Sequence, residues 1–206
     1  MAIKDCHGVK KNQIVHDYII RPIEHIQLLP GQTIYSCCRK ELTDVYYQFS
    51  AEHRKTKVLS NFFVGDNCAK QFLKLTGHNA LPLFNPLIST SVVSGANSGV
   101  GANAGSVGSV SPLNQEVATA IRLYLALTLQ PAMPGRLFDN VLSNIKSAPH
   151  QSVPTQIVIR VNKAIGAIGA KSLQQRMSVY PVGTFRKFLF SNMIAILTRA
   201  NEPINL

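Results

Sequence analysis

The stretch from Ile34 to Gly77 constrains this chain most, because it gathers three of the four cysteines into one short run. It opens Ile34-Tyr-Ser-Cys37-Cys38-Arg-Lys-Glu-Leu-Thr-Asp44 and closes Phe62-Phe-Val-Gly-Asp-Asn-Cys68-Ala-Lys-Gln-Phe-Leu-Lys-Leu-Thr-Gly77. A tetrahedral zinc site draws its ligands in this way, a close set on a turn and the rest from elsewhere. A thiol in the first turn of a helix suits the task, since the positive end of the helix dipole favours a thiolate. Cys68 is predicted to sit there. Gly65-Asp-Asn opens the helix, Asp66 or Asn67 caps it, and Gly77 stands where a C′ glycine belongs. Ala69, Phe72, Leu73 and Leu75 supply its buried face.

Before this run, Ile14, Tyr18 and Ile19 fit one helical face. Pro22 interrupts the pattern, and Ile23, Ile26 and Leu29 resume it, which predicts two short helices with Pro22 opening the second. Pro30-Gly31 marks a turn. Residues 33–38 and 45–50 are rich in β-branched and aromatic side chains and predict two strands joined by a turn at Arg39–Asp44. Residues 51–57 form a basic loop, and residues 58–64 a third strand. Pro82 and Pro86 mark residues 79–88 as an extended strap.

Composition then changes. Residues 89–112 carry no charge and consist almost wholly of Ser, Gly, Ala, Val and Asn, the composition of a flexible linker. Residues 113–206 follow helical periods. A helix over 114–129 is apolar on nearly all sides and is either central to its domain or buried in an oligomer. Further helices are expected near 137–145, from Pro154 to about Ile168, near 171–179, and from Thr184 through Leu197. The tail after Ala200 is expected to fray. The fold class is therefore an α+β N-terminal domain over 1–88, a Gly/Ser/Ala-rich linker over 89–112, and an all-α helical bundle over 113–206.

The cysteine run resembles a small zinc knuckle of treble-clef or zinc-ribbon type found in uncharacterised phage and bacterial proteins. Cys38-Arg-Lys-Glu-Leu42-Thr43-Asp44 and Gly65-Asp-Asn-Cys68-Ala69 carry the resemblance, which implies Zn2+ binding and recognition of nucleic acid or protein. Tyr35 stands where the pattern has its first cysteine, and Gln71 stands where a treble clef has a ligand three residues after Cys68. The predicted ligand set is Cys37, Cys38, His53 and Cys68, with His78 as the substitute for His53. Adjacent strand residues face opposite ways, so Cys37 and Cys38 share a metal only if the backbone turns between them. Small buried thiols without metal are the plainer alternative. Cys6-His7 is a possible ligand pair, with His16 and His25 nearby, but no spacing rule links them to the run, and surface or satisfied core residues are the expectation.

Lys plus Arg number 21 against 10 Asp plus Glu, a net charge of +11. That excess favours nucleic acid, an anionic membrane surface or an acidic protein. Residues 113–206 are the more one-sided half, with 10 basic and 3 acidic side chains. Arg39, Lys40, Arg54, Lys55 and Lys57 flank the knuckle, with Tyr46, Tyr47 and Phe49 interleaved, a combination used on single strands. Arg186 and Lys187 would lie on the last helix of a helix-turn-helix arrangement. No His-Glu-x-x-His, Gly-x-Ser-x-Gly or phosphate loop is present, which argues against an enzyme. Four cysteines without a secretion signal imply a reducing, cytoplasmic setting, and no membrane span is expected. The function expected is zinc-dependent nucleic-acid binding, DNA or RNA. The alternative is an adaptor that oligomerises or takes a protein partner through helix 114–129.

Overall fold

The computed structural model describes Ile3, residues 5–88 and residues 110–206. The expected linker lies outside the described residues up to position 109. The chain combines five strands, all before residue 65, with α-helices that occupy most of the part beyond residue 110. Two compact units are seen, one made of residues 1–85 and 121–144, the other of 86–120 and 145–206. The helical stretch 121–144 thus groups with the strands.

The first unit is built on β4 (Val45–His53), the middle strand of an antiparallel sheet ordered β1-β4-β5, with β1 at Tyr18–Gln27 and β5 at Leu59–Val64. Both faces of β4 are covered. On one face Tyr47, Phe49 and Ala51 join Phe62 and Val64 of β5. Against them pack Ile14 of α1 (Lys10–Asp17) and Ala69, Phe72 and Leu73 of α2 (Asp66–Thr76). Phe49, Phe62 and Phe72 meet with ring centroids 5.3–5.8 Å apart. On the other face Tyr46 and Gln48 are buried as well. Gln48 donates from Nε2 to the Ala132 carbonyl (2.7 Å) and accepts from the Ala132 N–H (3.0 Å). Burial raises the Tyr46 hydroxyl pKa, with nearby Glu24 adding to it.

The predicted second helix, from Pro22, is instead the body of β1. Burial alternates along it at Ile20, Pro22, Glu24 and Ile26. The register shifts between Pro22 and Glu24, so Pro22 pairs with Phe49 while Glu24 pairs with Gln48. Cross-strand partners share a face. The bulge therefore moves the buried side of β1 from the Phe49 face to the Gln48 face. Pro22 is tolerated because β1 is an edge strand and the proline sits at a bulge. Glu24 is 3% exposed and accepts from Arg122 Nε at 2.8 Å. The strap is extended as expected, with Phe84 bridging Ile26.

The strand predicted to stop near residue 50 continues to His53, and the basic loop shrinks to the tight turn before β5. Tyr46, Tyr47 and Phe49 are all buried, so none is free to stack on a base. Gly65, not Asp66 or Asn67, is the N-cap of α2, while Gly77 closes it at φ 68° as expected.

The second unit contains the first part of α3 (Pro112–Thr128), α5 (Thr155–Ala167), α6 (Leu173–Met177) and α7 (Ser191–Arg199). Val117, Val161, Ile165, Leu173, Met193 and Leu197 are fully buried. The apolar face of α3 is buried within the chain, with Ile121, Leu123 and Leu125 covered, which leaves little of it for a partner. The last helix begins at Ser191, not at Thr184. Glu116 fixes its start, accepting from the backbone N–H groups of Asn192 (3.1 Å) and Met193 (2.9 Å). A carboxylate there satisfies donors that a helix leaves open. Arg186 and Lys187 therefore lie on an extended segment, where Phe185 bridges Leu87, and not on a recognition helix. The tail does not fray. Buried Asn162 donates to the Pro203 carbonyl (2.7 Å) and accepts from the Asn205 N–H (2.9 Å).

Two outcomes follow. Arg122→Ala strands a buried carboxylate and should cost about 3 kcal/mol in urea unfolding, near the lower end for a broken buried pair because Arg122 is partly exposed. The double change Glu24→Gln with Arg122→Met should recover most of it. At Gly166 an added Cβ would stand 2.6 Å from Asn205 Cγ, whose side chain is held by Asn162. Alanine in a helix normally gains about 0.5–1 kcal/mol over glycine. Gly166→Ala should instead lower the thermal midpoint in the full chain and raise it in a chain ending at Asn201.

Candidate metal centre

β2 (Ile34–Tyr35) and β3 (Glu41–Leu42) form a two-stranded hairpin. The tip is a tight turn rather than strand. Ser36 N–H donates to the Lys40 carbonyl (2.9 Å), and Arg39 N–H donates to the Ser36 carbonyl (2.8 Å). Ser36 Oγ accepts from the Lys40 N–H at 3.1 Å. Arg39 takes φ 61°, the left-handed conformation that usually calls for glycine.

The turn lifts the objection to adjacent cysteines. Cys37 N–H donates to the Phe63 carbonyl of β5, and the Cys37 carbonyl accepts from Asp5 N–H, each at 2.8 Å. The hairpin tip is thereby fastened to the sheet on one side and to the N-terminal segment on the other. The sulfur atoms of Cys6, Cys38 and Cys68 lie within 4.8 Å of one another. Cys6 and Cys38 Sγ are 2.8 Å apart. Cys6 and Cys37 are in disulfide contact, with Cα atoms 5.9 Å apart. All four cysteines of the chain thus meet at one place, and two arrangements compete for them, a metal-ligand set and a disulfide beside two free thiols.

Of the predicted ligands, Cys37, Cys38 and Cys68 come together and the histidines do not join them. His53 ends β4, where its Nδ1 accepts from the backbone N–H groups of Lys55 (3.2 Å) and Thr56 (3.1 Å). It shapes the β4–β5 turn. His78 Nε2 lies 3.1 Å from the Ile20 carbonyl. Cys6, expected to be a bystander, takes the place given to them. No local spacing could have found it. The available signal was arithmetic: four cysteines are a full tetrahedral complement with none left over. The slot three residues after Cys68 is filled by Gln71, whose Oε1 accepts from Lys11 Nζ at 2.7 Å. Burial pushes the Cys38 thiol up, and the neighbouring Cys68 adds to this through its charge and a hydrogen bond.

Beside the hairpin tip is an open cleft of about 250 Å3, lined by Tyr35, Ser36, Arg39, Asn61 and Phe63 among others. Tyr35, in the place of the pattern's first cysteine, points outward and is 67% exposed. Arg39 and Lys40 are exposed on the same turn, and Arg54, Lys55 and Lys57 on the β4–β5 turn. Arg186 and Lys187 belong to the other unit, and burial lowers the Arg186 pKa.

These features define a mixed α/β protein with a cysteine cluster at the junction of a hairpin tip, a helix start and an N-terminal segment. The chain belongs to the family described as uncharacterised conserved protein UCP028583, whose model matches residues 5–205. No curated protein and no solved structure matches it. No helix among the described residues is long and apolar enough to cross a membrane.

Arg39→Gly removes a side chain from a left-handed position, where it costs on the order of 1 kcal/mol. The variant should raise the unfolding midpoint of the first unit, as measured by chemical denaturation.

Proposed function

We propose that the protein is a zinc-stabilised module that binds single-stranded nucleic acid without catalysing a reaction. The observation that carries this reading is the cleft at the knuckle, where exposed Tyr35 stands beside Arg39 and Asn61. Single-strand recognition combines an aromatic face for a base, cations for the backbone and a polar group for a base edge. Tyr35, Arg39 with Lys40, and Asn61 supply these in one place. Zinc, in this reading, holds the knuckle that presents them and takes no part in contact. The overall net charge of +11 adds a long-range attraction for a polyanion.

The second unit adds to the field. Its two acidic side chains are engaged internally, Glu116 at the start of α7 and Glu202 with Lys163 at 2.7 Å. Lys146, Arg160, Lys171, Lys187 and Arg199 remain exposed there.

The test is affinity for a short single-stranded oligonucleotide across a salt series. Binding should weaken steadily with salt, with a log–log slope of about −0.7 per phosphate contact. Tyr35→Ala should lose about 1–3 kcal/mol with the slope unchanged, as expected for a stacked base. Arg39→Gly with Lys40→Ala should flatten the slope. Absence of binding at low salt would end the reading, since phosphate contacts are strongest there.

A further inference from the structure

We infer that Cys6, Cys37, Cys38 and Cys68 together form one tetrathiolate site for a zinc-class cation, with buried Lys11 as its countercharge. This deepens the metal half of the proposed function and is independent of what the cleft binds. The ligand set differs from the one the sequence points to, in that Cys6 replaces His53.

The geometry fits a tetrahedron. A Zn–S bond of about 2.3 Å places the four sulfurs about 3.8 Å apart. Cys6, Cys38 and Cys68 lie within 4.8 Å of one another, with Cys6 and Cys38 at 2.8 Å and Cys37 in contact with Cys6. Three of the sulfurs are thus already grouped at about that spacing, and reduction of the Cys6–Cys37 pair frees the fourth to join them. The main chain is already set. Cys37 is pinned through its N–H and carbonyl to Phe63 and Asp5, and Cys68 lies in the first turn of α2. Three segments distant in sequence converge on the four sulfurs, as expected of a cross-link in a unit this small.

A second observation points to the ligand independently. Lys11 is 6% exposed, and lysine is almost never buried without a paired charge. Its ammonium donates to Gln71, a neutral amide, and among the described residues no carboxylate pairs with it. Gln71 stands one helical turn beyond Cys68 on α2, so this bond carries the ammonium to the cysteine end of that helix. Four thiolates around a divalent cation leave a formal excess of two negative charges, which is the partner this lysine lacks. A disulfide between Cys6 and Cys37 beside two neutral thiols would leave Lys11 buried with no anion. The metal-bound state therefore belongs to the reduced chain, in which both sulfurs are thiolates.

The test uses the full chain, purified with a phosphine reductant and supplied with zinc. About one zinc per chain is expected in the wild type and in His53→Ala, and none in Cys6→Ser. Because Cys6→Ser may fail to fold, the wild type is also reconstituted with cobalt. Sulfur-to-cobalt charge-transfer intensity then counts the thiolates without any substitution. A four-sulfur spectrum is the expected result. A spectrum of three sulfurs and one nitrogen, or zinc retained in Cys6→Ser and lost in His53→Ala, would overturn the ligand set while leaving a zinc module in place. No metal in the reduced wild type would overturn the whole metal reading, and oligonucleotide binding by the same sample would show whether the cleft stands without it. Lys11→Met should weaken zinc about tenfold in chelator competition, the lower end for a group supporting a metal site. Unchanged affinity would remove Lys11 from the assignment.

Discussion

Burial of β4 on both faces is the constraint on which the first unit depends. A strand covered on one side can turn its polar side chains to water. Here Gln48 and its cross-strand neighbour Glu24 face protein instead. Each must find a partner, and both do so within the same unit, at Ala132 and Arg122. Those bonds fix where residues 121–144 lie against the sheet, because an unsatisfied buried carboxylate or amide costs more than most single apolar contacts contribute. The opposite face is organised by three phenylalanines, whose contacts set α2 and so the position of Cys68.

The cysteine site follows from that frame. Its parts reach it by different routes: Cys68 through the core helix, Cys37 and Cys38 through a hairpin tip bonded to β5, and Cys6 through its neighbour Asp5, whose N–H donates to the Cys37 carbonyl. Among the described residues before α1, Ile3 and Cys6 are the ones that join the apolar core, so a link at Cys6 would tie that segment down. The second unit has no comparable site among its described residues. It is organised by caps, with Glu116 holding the start of α7 and Asn162 holding the tail.

Local signals in the chain were legible where local physics governs. Gly77 takes the left-handed C-cap, and α3, α4 (Leu137–Ser147) and α5 appear where the helical periods put them. Signals failed where a tertiary contact overrode them. Ile23 and Ile26 fit a helical face as well as a strand, and pairing with β4 decided for the strand. The segment after Thr184 has the periodicity of a helix but pairs with Leu87 and Ile88 instead. A fraying tail was the natural expectation for residues that offer few apolar groups, yet buried Asn162 needed their backbone.

By itself the sequence determined that the chain is basic, that its strands lie in the first part and the part beyond residue 112 is helical, and that Cys37, Cys38 and Cys68 belong together near a helix start. Composition, turn residues and short-range spacing are enough for each of these. Only the tertiary structure decided that Cys6 joins them while His53 does not, that Tyr35 is the exposed aromatic while Tyr46, Tyr47 and Phe49 are core, and that Lys11 is buried against Gln71. These depend on which distant segments the sheet brings together. Such convergence is set by packing and hydrogen-bond satisfaction across the fold, and it leaves no periodic trace in the chain.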